Sequence, residues 1–238
     1  MRGILNEVLD HNRVARLIDD DIFSVLPDDS QPHHYDRRAT VYDRVVGSRL
    51  YNSIMWGSAP RDYVAFARQA VDSSQDGKFL DAGCGSLLFT ASTYLQTDRQ
   101  IVAFDQSLAM LRRARTRLLK AAGGMPQHII LLQADLSDLP FRPASFHTVL
   151  CLNVLHQFAA ATALLQNLQR LLSDEGHLFL TSLLLNDRFV GDRYLSALYR
   201  MREFVPPRTR SELRSILTEA LQREVTYTEK GNMAFVRC

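Results

Sequence analysis

The 238-residue chain has the composition of an ordinary globular protein, with 46% hydrophobic and 23% charged residues. This composition argues against a disordered, collagen-like or coiled-coil protein. The 28 lysines and arginines nearly balance the 26 aspartates and glutamates, and the net charge of +2 gives no reason to expect nucleic acid or an anionic membrane as a partner. The longest apolar stretch, near 178–185, is shorter than half a membrane span, so no spanning segment is predicted.

The three cysteines are far apart in the sequence, and none belongs to a C-x-x-C pair. Cys84, Cys151 and Cys238 therefore suggest reduced thiols and a cytoplasmic protein, not a disulfide framework or a zinc site. The two histidines at 33–34 have no further ligand at helical spacing beside them, so a solvated loop is expected there and no metal.

The first 75 residues do not alternate between strand and helix patterns, and they predict a helical N-terminal cap that differs from the rest of the chain. Caps and amphipathic spacing set the expected helix positions. The expected helices lie around 2–20, 36–55 and 60–72.

From Lys78 onward, short apolar runs alternate with longer amphipathic runs. Five buried strands are expected, and a helix follows the first, second and fourth of them. This rhythm predicts a parallel sheet with helices on both faces and right-handed crossovers. The expected strands are 78–83, 100–105, 128–135, 145–153 and 176–185, and the expected helices are 87–95, 107–121 and 160–172.

The C-terminal part begins with an irregular stretch, 186–210, which is rich in arginine and aromatic residues. It is expected to form a cap insertion above the same end of the sheet as the N-terminal cap. After a helix at 211–221, the runs 224–229 and 233–237 predict a β-hairpin that ends the sheet with an antiparallel strand. The fold class is therefore α/β, and residues 76–238 are expected to form one domain.

Polar residues follow the predicted strands at their carboxyl ends, where an open parallel sheet binds its ligands. Three of these ends carry a carboxylate, namely Asp81, Asp105 and Asp135. In the turn Asp81–Ser86, glycines permit a tight bend and close approach of a ligand to the backbone. The alternative is a purely structural strand–helix turn, but the position directly after a buried strand favours a binding loop.

Asp105 follows the second strand, 22 residues after Gly83. A carboxylate there can accept hydrogen bonds from both hydroxyls of an adenosine ribose. The alternative is an aspartate that interacts only with the dipole of the following helix. NAD and NADP are disfavoured, because the dinucleotide fingerprint G-x-G-x-x-G needs glycine where this chain has Leu88.

Five segments resemble, in order and spacing, the class I S-adenosylmethionine-dependent methyltransferases. The nearest group is the small-molecule type that includes ubiquinone and menaquinone biosynthesis enzymes. The resemblance is strong over 78–185 and extends loosely to the C-terminus. It implies a Rossmann-like seven-stranded sheet, S-adenosylmethionine (SAM) as cofactor with S-adenosylhomocysteine (SAH) as product, and methyl transfer to a small-molecule acceptor by in-line displacement. The segments are LDAGCGS, FDQSLAMLRRA, QADLSDLPF, FHTVLCLNVLHQF and LLSDEGHLFL.

The resemblance also assigns roles to individual residues around the cofactor. It implies that the methionine and ribose part is lined by Asp81, Gly83, Cys84 and Gly85, and that Asp105 holds the ribose hydroxyls. The adenine would be flanked by Gln106 and Met110, and its edge would meet Asp135 and Leu136. Asn153 would lie near the transferred methyl group, and Tyr42 would close over the cofactor.

Three positions depart from the pattern of this family. Leu87 replaces a third glycine, His147 replaces an aspartate at the start of the fourth strand, and Gln157 replaces the second of two histidines. Leu87 is the most serious departure, because a bulky side chain beside the turn is expected to alter cofactor affinity or pose.

His156 is the candidate general base, since the segment NVLH leaves the fourth strand at the ligand end and an imidazole titrates near neutral pH. The alternative is a buried, hydrogen-bonded histidine, which is the commoner situation. A base is needed only if the acceptor must lose a proton.

The expected partner is a small molecule, and a monomer or homodimer is expected, without nucleic acid. The basic run 112–120 predicts a solvated helix face. Tyr51, Trp56 and Tyr63 are candidates for a lid or for core packing, and the arginine-rich cap suits a planar or acidic acceptor. Two further functions stay open: a non-methylating reaction on the same cofactor, and a non-catalytic module whose pocket Leu87 has spoiled.

Overall fold

Apolar runs in the middle of the chain form a parallel sheet. The structure, a computed structural model, describes residues 2–27, 47–74, 77–202 and 204–238. The described strands are β1 (Arg16–Asp19), β2 (Ile22–Ser24), β3 (Phe79–Ala82), β4 (Ile101–Asp105), β5 (Ile129–Gln133), β6 (Phe146–Cys151), β7 (Leu172–Leu183), β8 (Thr226–Lys230) and β9 (Met233–Arg237).

The described helices are α1 (Arg2–Val8), α2 (Arg49–Tyr51), α3 (Pro60–Asp72), α4 (Ala91–Tyr94), α5 (Leu108–Ala122), α6 (Ala161–Arg170), α7 (Phe189–Arg200) and α8 (Arg210–Ala220). Wider helical turns at Asn52–Trp56 continue α2, and a short 3-10 turn occupies Leu155–Gln157. None of the helices in the described part of the chain has the length and apolar character needed to cross a lipid bilayer.

The strands are ordered β1-β2-β5-β4-β3-β6-β7-β9-β8. Strands β2 to β7 run parallel, and β1 and β9 pair antiparallel with their neighbours. Helices α1, α6 and α8 supply apolar side chains to the core on one face, whereas α3, α5 and α7 supply the other face. This architecture confirms the α/β fold with an antiparallel C-terminal hairpin.

The helix predicted over 2–20 is wrong beyond Val8, because the chain turns there to form β1 and β2. Ile22 and Phe23 are buried, and β2 pairs in register with Leu131 and Leu132 of β5. Backbone hydrogen bonds to the open edge of β5 outweigh the local helical pattern. The described sheet therefore has nine strands instead of the expected seven.

Two other elements differ from the sequence expectation. The helix predicted at 87–95 is reduced to α4, because Leu87 takes a left-handed backbone conformation with φ of 54°. The stretch expected to be irregular contains the regular helix α7. The helix expected at 60–72 is confirmed as α3, whereas residues 36–46 of the helix expected at 36–55 lie outside the described part.

Candidate functional site

Two adjoining cavities lie at the carboxyl ends of β3, β4, β5 and β6. The larger cavity has a volume of about 180 Å³ and the smaller one about 60 Å³. Gly83, Gly85, Leu152 and Asn153 line both cavities, so the two form one continuous groove along the edge of the sheet.

Asp105, at the end of β4, lines the larger cavity and is held by two backbone donors. The Gly85 N–H donates to Oδ2 and the Ser107 N–H donates to Oδ1, each at 2.9 Å. These bonds join the glycine loop to the start of α5. Because each carboxylate oxygen can accept more than one hydrogen bond, the half-buried carboxylate can also accept bonds from a ligand.

The far side of the larger cavity is formed by the loop after β5. The Asp135 carboxylate accepts from the Ser137 N–H at 2.8 Å and from the Gln106 amide at 3.4 Å. Met110 and Leu136 supply apolar surface to the same cavity. A flat ring could lie between this apolar surface and the polar edge. The structure thus brings together the residues assigned to the adenine.

Asp81, at the end of β3, lines the smaller cavity and is only 1% exposed. Its Oδ2 accepts from the Tyr94 hydroxyl at 2.7 Å and from the Thr90 hydroxyl at 3.5 Å. Burial raises the pKa of the Asp81 carboxyl to about 7, the Tyr94 hydroxyl opposes this rise, and the Asp105 carboxylate adds to it. Cys84 lines the same cavity, and burial raises the pKa of its thiol well above the ordinary value.

In the glycine loop, Gly83 is a position where a side chain has no room. Gly83 has φ of 72°, and a Cβ there would lie 2.7 Å from Val154 Cγ2 and 3.2 Å from Leu136 Cδ1, both in the cavity wall. Leu87 also has a positive φ, but its side chain is fully buried in the core and lines neither cavity. The expected obstruction of the pocket by Leu87 is therefore absent from the described cavities.

Asn153 follows β6 and lines both cavities with a strained backbone, at φ of 58°. Thr181 of β7 fixes it twice, because its hydroxyl accepts from the Asn153 N–H at 2.8 Å and donates to the Asn153 side-chain oxygen at 3.1 Å. The Gln157 amide donates to the Asn153 carbonyl at 2.9 Å. Asn153 is thus held rigidly at the junction of the cavities.

The structure does not place His156 where a general base is needed. His156 lines neither cavity and is 8% exposed, and its Nδ1 accepts from the Leu183 N–H at 3.3 Å. Burial, and then the nearby Arg208 guanidinium, lower the pKa of the imidazole to about 3. The predicted catalytic position is therefore corrected: the geometry is that of the alternative, a buried and hydrogen-bonded histidine.

Arg208 ties the linker before α8 to the loop that carries His156. Its guanidinium donates to the carbonyls of Leu155, at 3.1 Å, and Phe158. Phe158 lines the larger cavity, so the linker supports one of its walls.

Residues 49–57 pack against the described residues of 186–202 and 204–210, and from here on these segments are called the cap. Within the cap, Tyr51, Trp56 and Tyr194 form an aromatic cluster, with the Tyr51 and Tyr194 hydroxyls 3.2 Å apart. Tyr63 is instead a core residue, 1% exposed and stacked on Phe89.

Arginines of the cap are used within the protein. Arg188 donates to Asn232, Arg210 donates to Asn186 and Glu229, and neither arginine lines the cavities. The geometry gives these two side chains a structural role instead of a place at the acceptor.

Tyr42 and the histidines at 33–34 lie outside the described residues. Elsewhere in the described part of the chain, no group of three or more histidine, cysteine, aspartate or glutamate side chains is placed to hold a metal ion. Sequence reasoning did not identify Tyr94 and Thr181 as site residues. Each contacts a site residue only through the tertiary fold, and neither belongs to a motif.

Comparison with known proteins finds similarity to methyltransferases. A family described as "Methyltransferase domain" matches residues 80–180. A malonyl-[acyl-carrier protein] O-methyltransferase of Legionella pneumophila is 28% identical over 157 residues, which are 63% of this chain and 48% of that protein. The uncharacterized methyltransferase YodH of Bacillus subtilis is 34% identical over 110 residues, 46% of this chain and 45% of that protein. This chain spans about half the length of these curated relatives.

The fold is also similar to that of solved structures. Magnesium protoporphyrin IX methyltransferase of Synechocystis, solved with bound SAH, has a TM-score of 0.61 and 18% sequence identity, and the match covers 86% of this chain and 94% of that one. Residues 80–180 of this chain therefore match a methyltransferase domain in sequence, and the fold is similar to that of a methyltransferase of known structure.

Proposed function

We propose that this chain transfers a methyl group from SAM to a small-molecule acceptor by in-line displacement. The observation that carries the proposal is the Asp105 carboxylate, which two backbone N–H groups fix at 2.9 Å beside the larger cavity. A carboxylate held in this way suits the two hydroxyls of a ribose.

The residues around the groove fit the whole of SAM. Asp135, Gln106 and Met110 suit an adenine at the far side of the larger cavity, and Asp81 suits a cationic group in the smaller one. A side chain at Gly83 would press on the wall, which agrees with a cradle shaped for a ligand. Bound SAM would supply a methyl group on a sulfonium, from which the neutral thioether of SAH departs as a good leaving group.

The part played by the protein is to orient and to exclude water. Asn153, which Thr181 holds at the junction of the two cavities, would lie near the transferred methyl group and help to hold the cofactor in place. Orientation alone supplies about 7–11 kcal/mol of barrier reduction in favourable cases. With His156 buried elsewhere, acceptors that are already ionised at neutral pH, such as carboxylates, are the first to test. The Legionella relative is named for O-methylation of a malonyl group.

The test combines calorimetry with a turnover assay. Titration of SAM and SAH into the purified protein is expected to give saturable heat at one site. A panel of carboxylates, phenols and amines is then incubated with SAM, and SAH release is followed. Binding of SAM with conversion of an acceptor but without SAH release would favour a non-methylating reaction. Absence of any SAM heat would contradict the proposal and favour a module without the cofactor.

We further propose a cytoplasmic protein without a nucleic-acid partner. The free cysteines Cys84, Cys151 and Cys238 support a reducing compartment. The basic face of α5 is turned to acidic residues of the β1–β2 turn: Arg112 pairs with Asp19 at 2.5 Å, and Arg115 pairs with Asp21 at 3.0 Å. A filter-binding assay with RNA and DNA tests the absence of a nucleic-acid partner. Light scattering tests the further expectation that the protein is a monomer or a homodimer.

A further inference from the structure

The buried contact between Asp81 and Tyr94 is not used by any role assigned above. Tyr94 lies on α4, is fully buried and lines neither cavity. Its hydroxyl lies 2.7 Å from Oδ2 of Asp81, whose carboxylate does face the smaller cavity. Tyr94 therefore makes no direct contact with the cavities, and its hydroxyl acts on the smaller one through Asp81.

The surroundings of Asp81 contain few groups that favour the ionised carboxylate, so the hydrogen bond from the Tyr94 hydroxyl matters for its protonation state. The described polar and titratable groups that act on the carboxyl are the Tyr94 and Thr90 hydroxyls, the Asp105 carboxylate and the Cys84 and Cys151 thiols. None of these five groups is a cation. A buried carboxylate without a positive partner tends to take up a proton, and a donated hydrogen bond opposes this.

Of the two hydroxyls, Tyr94 is the better donor. Its distance of 2.7 Å is typical of a charge-assisted O–H···O bond, whereas the Thr90 contact of 3.5 Å is at the limit of a hydrogen bond. Burial, and then the Asp81 charge, raise the pKa of the Tyr94 phenol well above its ordinary value, so the hydroxyl keeps its proton and can donate it.

We propose that Tyr94 is a positioning residue that holds the Asp81 carboxylate towards the smaller cavity in its ionised form and so prepares this cavity for a cationic group of the ligand. The inference rests on the proposed function, because the ammonium of the amino-acid part of SAM is the cation that would enter there.

The first experiment needs no ligand. Carboxyl-¹³C NMR of aspartate-labelled protein follows the titration of Asp81, which Asp81→Asn identifies. The wild-type midpoint is expected near pH 7, and Tyr94→Phe, which removes one oxygen atom, is expected to move it upward. Tyr63→Phe is the matched control, because Tyr63 is equally buried but its hydroxyl contacts Ser58. An unchanged midpoint in Tyr94→Phe overturns the proposal.

The second experiment measures SAM affinity against pH by calorimetry. Wild-type affinity is expected to rise with pH through about 7, as Asp81 ionises. In Tyr94→Phe the rise should move to higher pH. Binding at pH 7 should weaken by about fivefold for the first pH unit that the Asp81 midpoint moves upward, and by about tenfold for each further unit. Asp81→Asn should bind weakly at every pH. A Tyr94→Phe profile that overlays the wild type, like that of Tyr63→Phe, contradicts the positioning role.

The two arms separate the two proposals. If wild-type protein does not bind SAM, the proposed function fails, while the NMR titration still decides the role of Tyr94. If Tyr94→Phe does not fold, wild-type protein labelled with 3-fluorotyrosine replaces it. A more acidic phenol is a stronger donor, so the Asp81 midpoint should then fall, and a constant midpoint overturns the proposal.

Discussion

Two regions above the same edge of the sheet are built in different ways. The groove is formed by residues that directly follow β3, β4, β5 and β6, and its Asp105 and Asp135 carboxylates are fixed by backbone donors near strand ends. The cap is joined through distant contacts: the Asn232 N–H donates to the Trp56 carbonyl at 2.7 Å, and the Asn232 amide donates to the Leu184 carbonyl at 2.9 Å. The groove thus depends on positions at consecutive strand ends, whereas the cap depends on contacts with segments that have no such regular placement.

The largest expected effect is a loss of stability at Leu87, which lies beside the glycine loop but on the side away from the cavities. Leu87→Ala should destabilise the protein by about 2–5 kcal/mol, because it empties a fully buried site. SAM affinity should stay nearly unchanged, since Leu87 lines neither cavity. Chemical denaturation and calorimetry measure the two quantities. Leu87→Gly should cost less, because glycine relieves the positive φ; a large loss of affinity in either variant would place Leu87 in the site.

Asp105→Ala should weaken SAM binding by about 1.5–3 kcal/mol, the range for lost hydrogen bonds to a charged group. The corresponding rise in Kd is roughly tenfold to 150-fold. Asp98→Ala is the matched control, because Asp98 is an exposed aspartate at the opposite end of β4. Equal affinities of the two variants would remove the ribose role of Asp105.

Gly191→Ala should loosen the cap and leave the groove intact. A Cβ on this residue of α7 would lie 1.9 Å from the Asn232 side-chain oxygen and 2.7 Å from the Met55 carbonyl. Overpacking of this kind costs about 1–3 kcal/mol. Gly124→Ala, where a Cβ meets nothing within 4 Å, is the control. Thermal unfolding measures the cost, and SAM affinity in Gly191→Ala should equal that of the control.

The last prediction concerns acid stability. In the folded state, burial and then Arg208 lower the pKa of His156 from 6.5 to about 3. Between these values the unfolded chain binds more protons at this residue, so the folded state loses stability as the pH falls. His156→Gln should flatten this part of the stability–pH curve relative to the exposed-site control His11→Gln. An unchanged slope would show that His156 is protonated in the fold.

Sequence patterns predicted the groove well and the cap poorly, for a physical reason. Buried strands and the glycine turn have local signatures, and because parallel strands end at one edge, Asp81, Asp105 and Asp135 had to meet there. The partners of Asp81 and Asn153 could not be predicted, since Tyr94 and Thr181 reach them only after the chain has folded. For the same reason, the pairing of β2 with β5 has no local signal.

That pairing has a practical consequence for anyone who trims the protein. Strand β2 covers the hydrogen-bonding edge of β5 over Leu131–Gln133. A truncation that removes residues 2–27 would leave an uncovered apolar strand, which is a template for association between chains. Shortened versions should therefore aggregate even if their ligand groove is complete.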